Sequence, residues 1–281
     1  MSFFTNLQIN QIANIALQAG EIAKEFFYQK NFIVNTKPDQ SKVTSADIEV
    51  SNFIYKSLGN SFPKIPTICE EQNNAQFSKE AFFLIDPIDG TSGYIKNSDQ
   101  FSINIALVKN QKPIFGLIYA PIFEGGKLFL SSADDNLLKY HDLLRKTEKI
   151  VKEDIEISNF KPDVIKKIDT KVSSLRIITS KRSHDSDLIK FVKQFYPQNI
   201  NNYSLVKRSS AIKFFDILEN KADIYIHFNQ TMEWDTAAGH ALIKLINISA
   251  KKISIIDDDF IIGNDLDYGK LDYLNSSFVI F

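Results

Sequence analysis

The run Ala81-Phe82-Phe83-Leu84-Ile85, leading straight into Asp86-Pro87-Ile88-Asp89-Gly90-Thr91, constrains this chain more than any other stretch. A short apolar run of this length reads as a strand buried in a core. The chain leaves that core at Asp86, where Pro87 has no N–H and a fixed φ, so the strand is not expected to run on normally. Gly90 permits backbone angles, or a close approach, that a Cβ would forbid. A rigid turn of this kind can present two carboxylates and the carbonyl between them to one point. Hard divalent cations such as Mg2+ take that oxygen set. Ordinary acidic turns use the same residue types, so these six residues alone leave both readings open.

The flanking pattern supplies the rest of the frame. Over 7–28, Leu7, Ile12, Ile15, Ala16, Ala19, Ile22, Ala23, Phe26 and Phe27 recur at helical spacing and predict an amphipathic helix. A second helix is expected over about 44–58, with Ile48, Phe53, Ile54 and Leu58 inward. Asp47 lies in its first turn, where a carboxylate also serves as a cap. Ile68-Cys69 reads as the end of a short strand that delivers two adjacent acids, Glu70 and Glu71. Phe101, Ile103, Ile105 and Leu107 alternate with smaller or more polar residues, which predicts a strand with one wetter face. Strands at 113–119 and 126–132 follow, as an antiparallel meander.

Residues 133–173 are polar and read as a surface connection with some helix, the seam between two lobes. Beyond it, strands at 174–179, 203–206 and 222–228 alternate with helices that start at Ser183 or Asp185 and at Ser209 or Ser210. That is an α/β pattern. Asp235 stands at the start of a helix of small residues, Thr236 to Ala241, suited to close packing or to a plain cap. Strands near 252–256 and 276–281 close the chain, with Asp257-Asp258-Asp259 as a solvated turn.

A chain of 281 residues accommodates one large domain of two lobes, about 1–150 and 174–281. The formal net charge of -1 gives no bulk electrostatic reason to bind nucleic acid or a membrane. The single cysteine, Cys69, rules out an internal disulfide and a multi-cysteine zinc site, and suits a reducing compartment. The N-terminus has no secretory pattern and no apolar run reaches spanning length. The expectation is a cytoplasmic protein without an integral membrane segment. A peripheral association with the inner membrane is left open, as is the choice between monomer and homodimer.

Taken together, Asp47, Glu70-Glu71, Asp86-x-x-Asp89-x-Thr91 and Asp235 form a pattern that resembles the lithium-sensitive, magnesium-dependent phosphatase superfamily that includes inositol monophosphatase. Asp86-Pro-Ile-Asp-Gly-Thr91 and Trp234-Asp-Thr-Ala-Ala-Gly239 look like its two motifs, in matching order and separation. The resemblance implies an α+β fold, layered α-β-α-β-α, and Mg2+-dependent hydrolysis of a phosphate monoester. Ser180-Lys-Arg-Ser-His-Asp185, Ser209-Ser-Ala-Ile-Lys-Phe214 and Gly116-Leu-Ile-Tyr-Ala-Pro121 look like the CysQ-like 3'(2'),5'-bisphosphate nucleotidase branch. Its substrate is adenosine 3',5'-bisphosphate. Inositol monophosphate and fructose 1,6-bisphosphate remain the alternatives within the superfamily. A catalytically weak metal- or nucleotide-binding relative is the alternative outside it.

By the same resemblance, Glu70, Asp86 and the Ile88 carbonyl hold one Mg2+, and Asp86, Asp89 and Asp235 hold a second. Glu70 would share a third ion. Asp47, Thr91 and Glu70 are the catalytic residues so implied, Thr91 orienting a water while hydrogen-bonded to Asp47. Asp89, Gly90, Thr91, His184, Ser209, Ser210, Lys213 and Asp235 are the substrate-binding ones. Three departures bear on the substrate: Arg208 stands at a usual glycine, His227 at a frequent nucleotide-holding arginine, and Ser92-Gly93-Tyr94 at a usual Lys-Glu-Phe.

Overall fold

Two buried sheets separate three helical layers in the computed structural model, which describes residues 3–72, 80–131, 138–142 and 174–281. The chain starts with helix α1 (Asn6–Gln29), whose N-terminus is closed by a Thr5–Gln8 capping box. Strands β1 (Val34–Thr36) and β2 (Lys42–Thr44) form a small hairpin before helix α2 (Ser45–Ser61). Then come β3 (Thr67–Cys69), β4 (Ala81–Asp89), the one-turn helix α3 (Thr91–Ile95), β5 (Ser102–Lys109), β6 (Lys112–Ala120), β7 (Lys127–Ser131) and β8 (Leu138–Asp142). The second half runs β9 (Leu175–Ser180), α4 (Asp185–Phe195), β10 (Tyr203–Arg208), α5 (Lys213–Leu218), β11 (Ile224–His227) and β12 (Thr231–Met232). It ends with α6 (Ala237–Lys244), β13 (Ala250–Ile256), β14 (Asp259–Asp265), β15 (Leu274–Asn275) and β16 (Phe278–Ile280).

The first sheet has the order β3-β4-β5-β6-β7-β8, antiparallel throughout except for the parallel β3–β4 pair. Helices α1 and α2 cover one face, packing on Phe83, Ile85, Ile105 and Leu117. Helices α5 and α6 cover the other face, on Leu84, Ala106 and Ile118, and also meet the second sheet. That sheet, in the order β10-β9-β11-β16-β13-β14, is parallel from β10 to β11 and antiparallel beyond. Helix α4 packs on its far side through Leu188, Phe191 and Val192. The order of layers is the expected α-β-α-β-α. The run of small residues in α6 has the predicted purpose: a Cβ on Gly116 of β6 would come within 2.1 Å of the Ala238 carbonyl oxygen.

Several local expectations change. Helix α2 turns Ala46, Val50, Ile54 and Leu58 inward and leaves Ile48 exposed; Leu7 of α1 is exposed as well. Helix α4 is capped by neither Ser183 nor Asp185: its N-cap is His184, with no side-chain bond. Helix α5 begins at Lys213 rather than at the serines, and Asp235 ends a 3-10 turn (Glu233–Asp235) ahead of α6. The second half alternates strand and helix only as far as α6, after which it is antiparallel. The β1–β2 hairpin has no counterpart in the apolar pattern because its strands are short and mostly exposed. Of the expected connection 133–173, residues 138–142 form β8, paired with β7; the rest lies outside the described residues.

Candidate active site

Strand β4 does run through Pro87, contrary to the sequence expectation. Its pairing with β5 slips between Asp86 and Asp89, a bulge that absorbs the missing N–H. The reversal comes at Gly90, with φ of 94°. A Cβ there would lie 2.9 Å from the Gln100 carbonyl oxygen, so both the backbone angle and the space call for glycine.

Past that turn, Thr91 opens α3 and its hydroxyl donates to Asp47 Oδ1 (3.0 Å) and to the Ile88 carbonyl (3.1 Å). The other oxygen of Asp47 accepts from the Thr44 N–H (2.8 Å) and the Thr44 hydroxyl (2.5 Å). Asp47 is thus both the capping carboxylate of α2 and the anchor of Thr91; the two readings of this residue are one structure. Burial raises its pKa above the ordinary carboxylate range, against the pull of Thr44 and Thr91.

Carboxylate oxygens of Asp86, Asp89 and Asp235 lie within 4.8 Å of one another. Asp86 is buried, and its Oδ1 has no hydrogen-bond partner. Asp89 accepts from the Ala211 N–H (2.5 Å) and from Asn104 (3.3 Å), which ties β4 to the segment before α5. Asp235 accepts from the Met232 N–H (2.8 Å). Burial, then the charges of Glu70 and of the other two acids, pushes Asp86 well above its usual pKa. Burial and then Asp89 do the same to Asp235, and burial raises Asp89. Three acids that repel one another and an orphaned buried oxygen fit a hard cation, whose charge would relieve both costs.

Glu70 is not part of this trio among the described residues. Its carboxylate accepts from Lys37 Nζ (2.9 Å), which also bonds Glu71 (2.5 Å). Burial and then Glu70 raise the Glu71 pKa to about 7. Lys37 sits just after β1, so the unforeseen hairpin brings a cation to the acidic pair; the Lys37-Pro38-Asp39 turn residues were the available signal.

A cleft of about 900 Å3 opens over these groups. Glu70, Asp89, Gly90, Thr91, Ser209, Ser210, Lys213 and Asp235 line it, Glu70 being an expected metal ligand and the others expected substrate-binding residues. His184 does not; it caps α4, exposed, while its neighbours Ser180, Lys181 and Arg182 line the wall instead. Ser210 has a left-handed φ of 62° and meets Ser102 of β5 at 2.8 Å. Ser102 and Asn104 form the wetter face foreseen for β5, but that face is buried and serves the site. The Lys213 ammonium donates to the Ser210 carbonyl and lies 5.6 Å over the Tyr225 ring. Burial lowers its pKa, while Asp89 and Asp235 resist. His227 also lines the cleft, stacked on Phe278 at 5.4 Å. Burial, then Lys213 and Arg182, holds its pKa down at about 3, so the ring is neutral.

A profile described as the inositol monophosphatase family matches residues 6–246. The chain is 32% identical over 239 residues to 3'(2'),5'-bisphosphate nucleotidase CysQ of Buchnera aphidicola subsp. Acyrthosiphon pisum, which is 84% of this chain and 80% of that one. It is 29% identical over 238 residues to the CysQ nucleotidase of Escherichia coli K12, 83% and 86% of the two chains. Among solved structures, CysQ from Bacteroides thetaiotaomicron superposes with a TM-score of 0.70 at 22% identity, covering 99% of this chain and 97% of that one. A staphylococcal inositol monophosphatase I complexed with products gives a TM-score of 0.68 at 18% identity, covering 99% and 91%.

Proposed function

The chain belongs to the inositol monophosphatase family, and we propose that it is a magnesium-dependent 3'(2'),5'-bisphosphate nucleotidase. Its reaction is hydrolysis of the 3'-phosphate of adenosine 3',5'-bisphosphate to AMP and phosphate. The observation that carries the reading is the convergence of Asp86, Asp89 and Asp235 on one point of the cleft, next to the Thr91–Asp47 pair. A binding protein would need the first group but not the second. The nucleotidase relatives at about 30% identity support the substrate class.

Asp86, Asp89, Asp235 and the Ile88 carbonyl would hold two Mg2+ ions, with Glu70 joining the first or taking a third. Bound there, the metal supplies charge that neutralises phosphate oxygens and acidifies a water. The protein's own groups do the positioning. Because the Thr91 hydroxyl donates its proton to Asp47, its lone pairs are left to accept from a water and aim it at phosphorus. As the water attacks, its proton passes to Thr91 Oγ while the Thr91 proton passes to Asp47 Oδ1, a carboxylate that burial makes more basic than usual. Attack in line forms the new P–O bond to the water oxygen and breaks the bond to the ribose 3'-oxygen, which takes a proton from solvent as it leaves, and such a transfer depends on placement and charge rather than on a side-chain nucleophile. Gly90 lets the phosphate approach the backbone, and Ser209, Ser210 and Lys213, on the segment bonded to Asp89 through the Ala211 N–H, hold the nucleotide beside it.

A substrate panel with and without Mg2+ tests this. Adenosine 3',5'-bisphosphate should be hydrolysed with the highest kcat/KM, ahead of inositol 1-phosphate and fructose 1,6-bisphosphate, and only with the metal. A higher kcat/KM on either sugar phosphate would overturn the substrate assignment.

A further inference from the structure

Resting on that nucleotidase reading, we infer that Arg182 holds the substrate's second phosphate and thereby sets the preference for two-phosphate over one-phosphate nucleotides. Arg182 lies two residues beyond the end of β9 and lines the cleft, exposed. Its Nη2 reaches across the mouth to the Ser92 hydroxyl (3.1 Å), the residue next to Thr91. One wall thus extends a guanidinium toward the other, beside the place where the reacting phosphate would sit.

Its charge is unspent. The two other described arginines are each neutralised by a carboxylate, Arg176 by Asp223 (2.5 Å) and Arg208 by Asp216 (2.6 Å). Arg182 has no carboxylate partner among the described residues; its side chain bonds a neutral hydroxyl. A guanidinium carries five N–H donors in a planar fork that matches phosphate oxygens two at a time. Most of that fork is free to take an anion.

The neighbouring candidates are committed elsewhere. The Lys213 ammonium is buried, donates to the Ser210 carbonyl and has the Asp89 and Asp235 charges near it. It meets the nucleotide from the acidic floor, beside the reacting phosphate, with its charge shared with those acids. His227 is neutral, and its ring is packed against Phe278, so it offers no charge to a dianion. Lys181 lines the same wall as Arg182, but as a point charge without the fork.

The test compares adenosine 3',5'-bisphosphate with adenosine 3'-monophosphate, which differ only in the second phosphate. The ratio of their kcat/KM values is measured for the wild type, Arg182→Ala, Arg182→Lys and Lys181→Ala, with Tm recorded for each. Loss of charge-assisted bonds to a phosphate should lower the ratio about tenfold or more in Arg182→Ala, mainly through KM for the bisphosphate. Arg182→Lys should fall between, because it keeps charge without the fork. Lys181→Ala should shift the ratio less than about threefold, as an exposed point charge would. A wild-type ratio in Arg182→Ala, an equal loss on both substrates, or an equal effect of Lys181→Ala would overturn the inference and leave the nucleotidase reading standing. A wild type with no preference for the bisphosphate would overturn both.

Discussion

The two walls of the cleft are built by opposite means. On one side, residues 86–91 are contiguous: a strand end, a bulge and a glycine turn put Asp89 and Thr91 on the cleft, with Asp86 and Ile88 buried beneath them, all within a single hexapeptide. On the other, Arg182, Ser209 to Lys213, His227 and Asp235 come from different segments of the second half of the chain and meet only through the second sheet. The first wall concentrates negative charge that Lys37 and Lys213 offset only in part. The second presents cations, one of them buried. A chemistry that depends on a few fixed oxygens can be written in one short motif. Selectivity for a larger substrate is spread over the folded surface opposite.

The contrast can be broken most sharply at Asp89. With Asn there, Mg2+-dependent turnover should fall more than about a hundredfold, since even outer partners of a metal ligand are worth 10- to 100-fold. Near wild-type turnover in a steady-state assay would remove the metal reading of the first wall. Asp47→Asn comes next. The amide oxygen can still cap α2, so the fold should hold, while kcat drops about a hundredfold for loss of a proton-handling group. The half-saturating Mg2+ concentration should barely move. A shift in metal affinity with unchanged kcat would contradict the assignment of Asp47 to the water rather than to the ion.

Lys37→Met probes the cation that the hairpin lends to the acidic wall. Glu70 and Glu71 lose their partner, so titration calorimetry should show Mg2+ binding tightened a few-fold and metal-free stability lowered, the cost of an unpaired buried charge. Unchanged binding would show that Lys37 does not compete for these acids.

The smallest effect is on stability against pH. Asp86, Asp89, Asp235 and Glu71 have folded pKa values above their unfolded ones, so the folded state holds more protons and loses stability as pH rises toward the folded values. Buried His227 and His240, with pKa values of about 3 and about 4, act the other way, since their stability is lost as pH falls below about 6.5. Metal-free protein should therefore lose Tm as pH rises above about 6.5, where the histidines no longer oppose the acids, and Mg2+ should restore more at the higher pH. A flat Tm in EDTA would mean that the three acids do not repel as their geometry implies.

The sequence by itself determined the acidic turn and the packing of two helices on an antiparallel sheet in the first half, while the five-layer order came from the family resemblance. Residues 81–91 carry strand, turn and candidate ligands in one window, and the periods of α1, α2 and the meander reflect local backbone geometry. Asp47, Thr91 and Asp235 were legible as candidates because each sits at an element end, where a side chain can leave the regular pattern. Tertiary structure alone decided what those candidates face. It gave Glu70 a Lys37 partner while keeping its charge close to the three aspartates, and it left His184 at the start of a helix outside the cleft. It carried β4 through Pro87 on a bulge and brought Arg182 within reach of Ser92. The physical reason is range. Periodicity and turn chemistry act over a few residues, whereas a hydrogen bond between residues 92 and 182 exists only once two sheets have packed around the same helices.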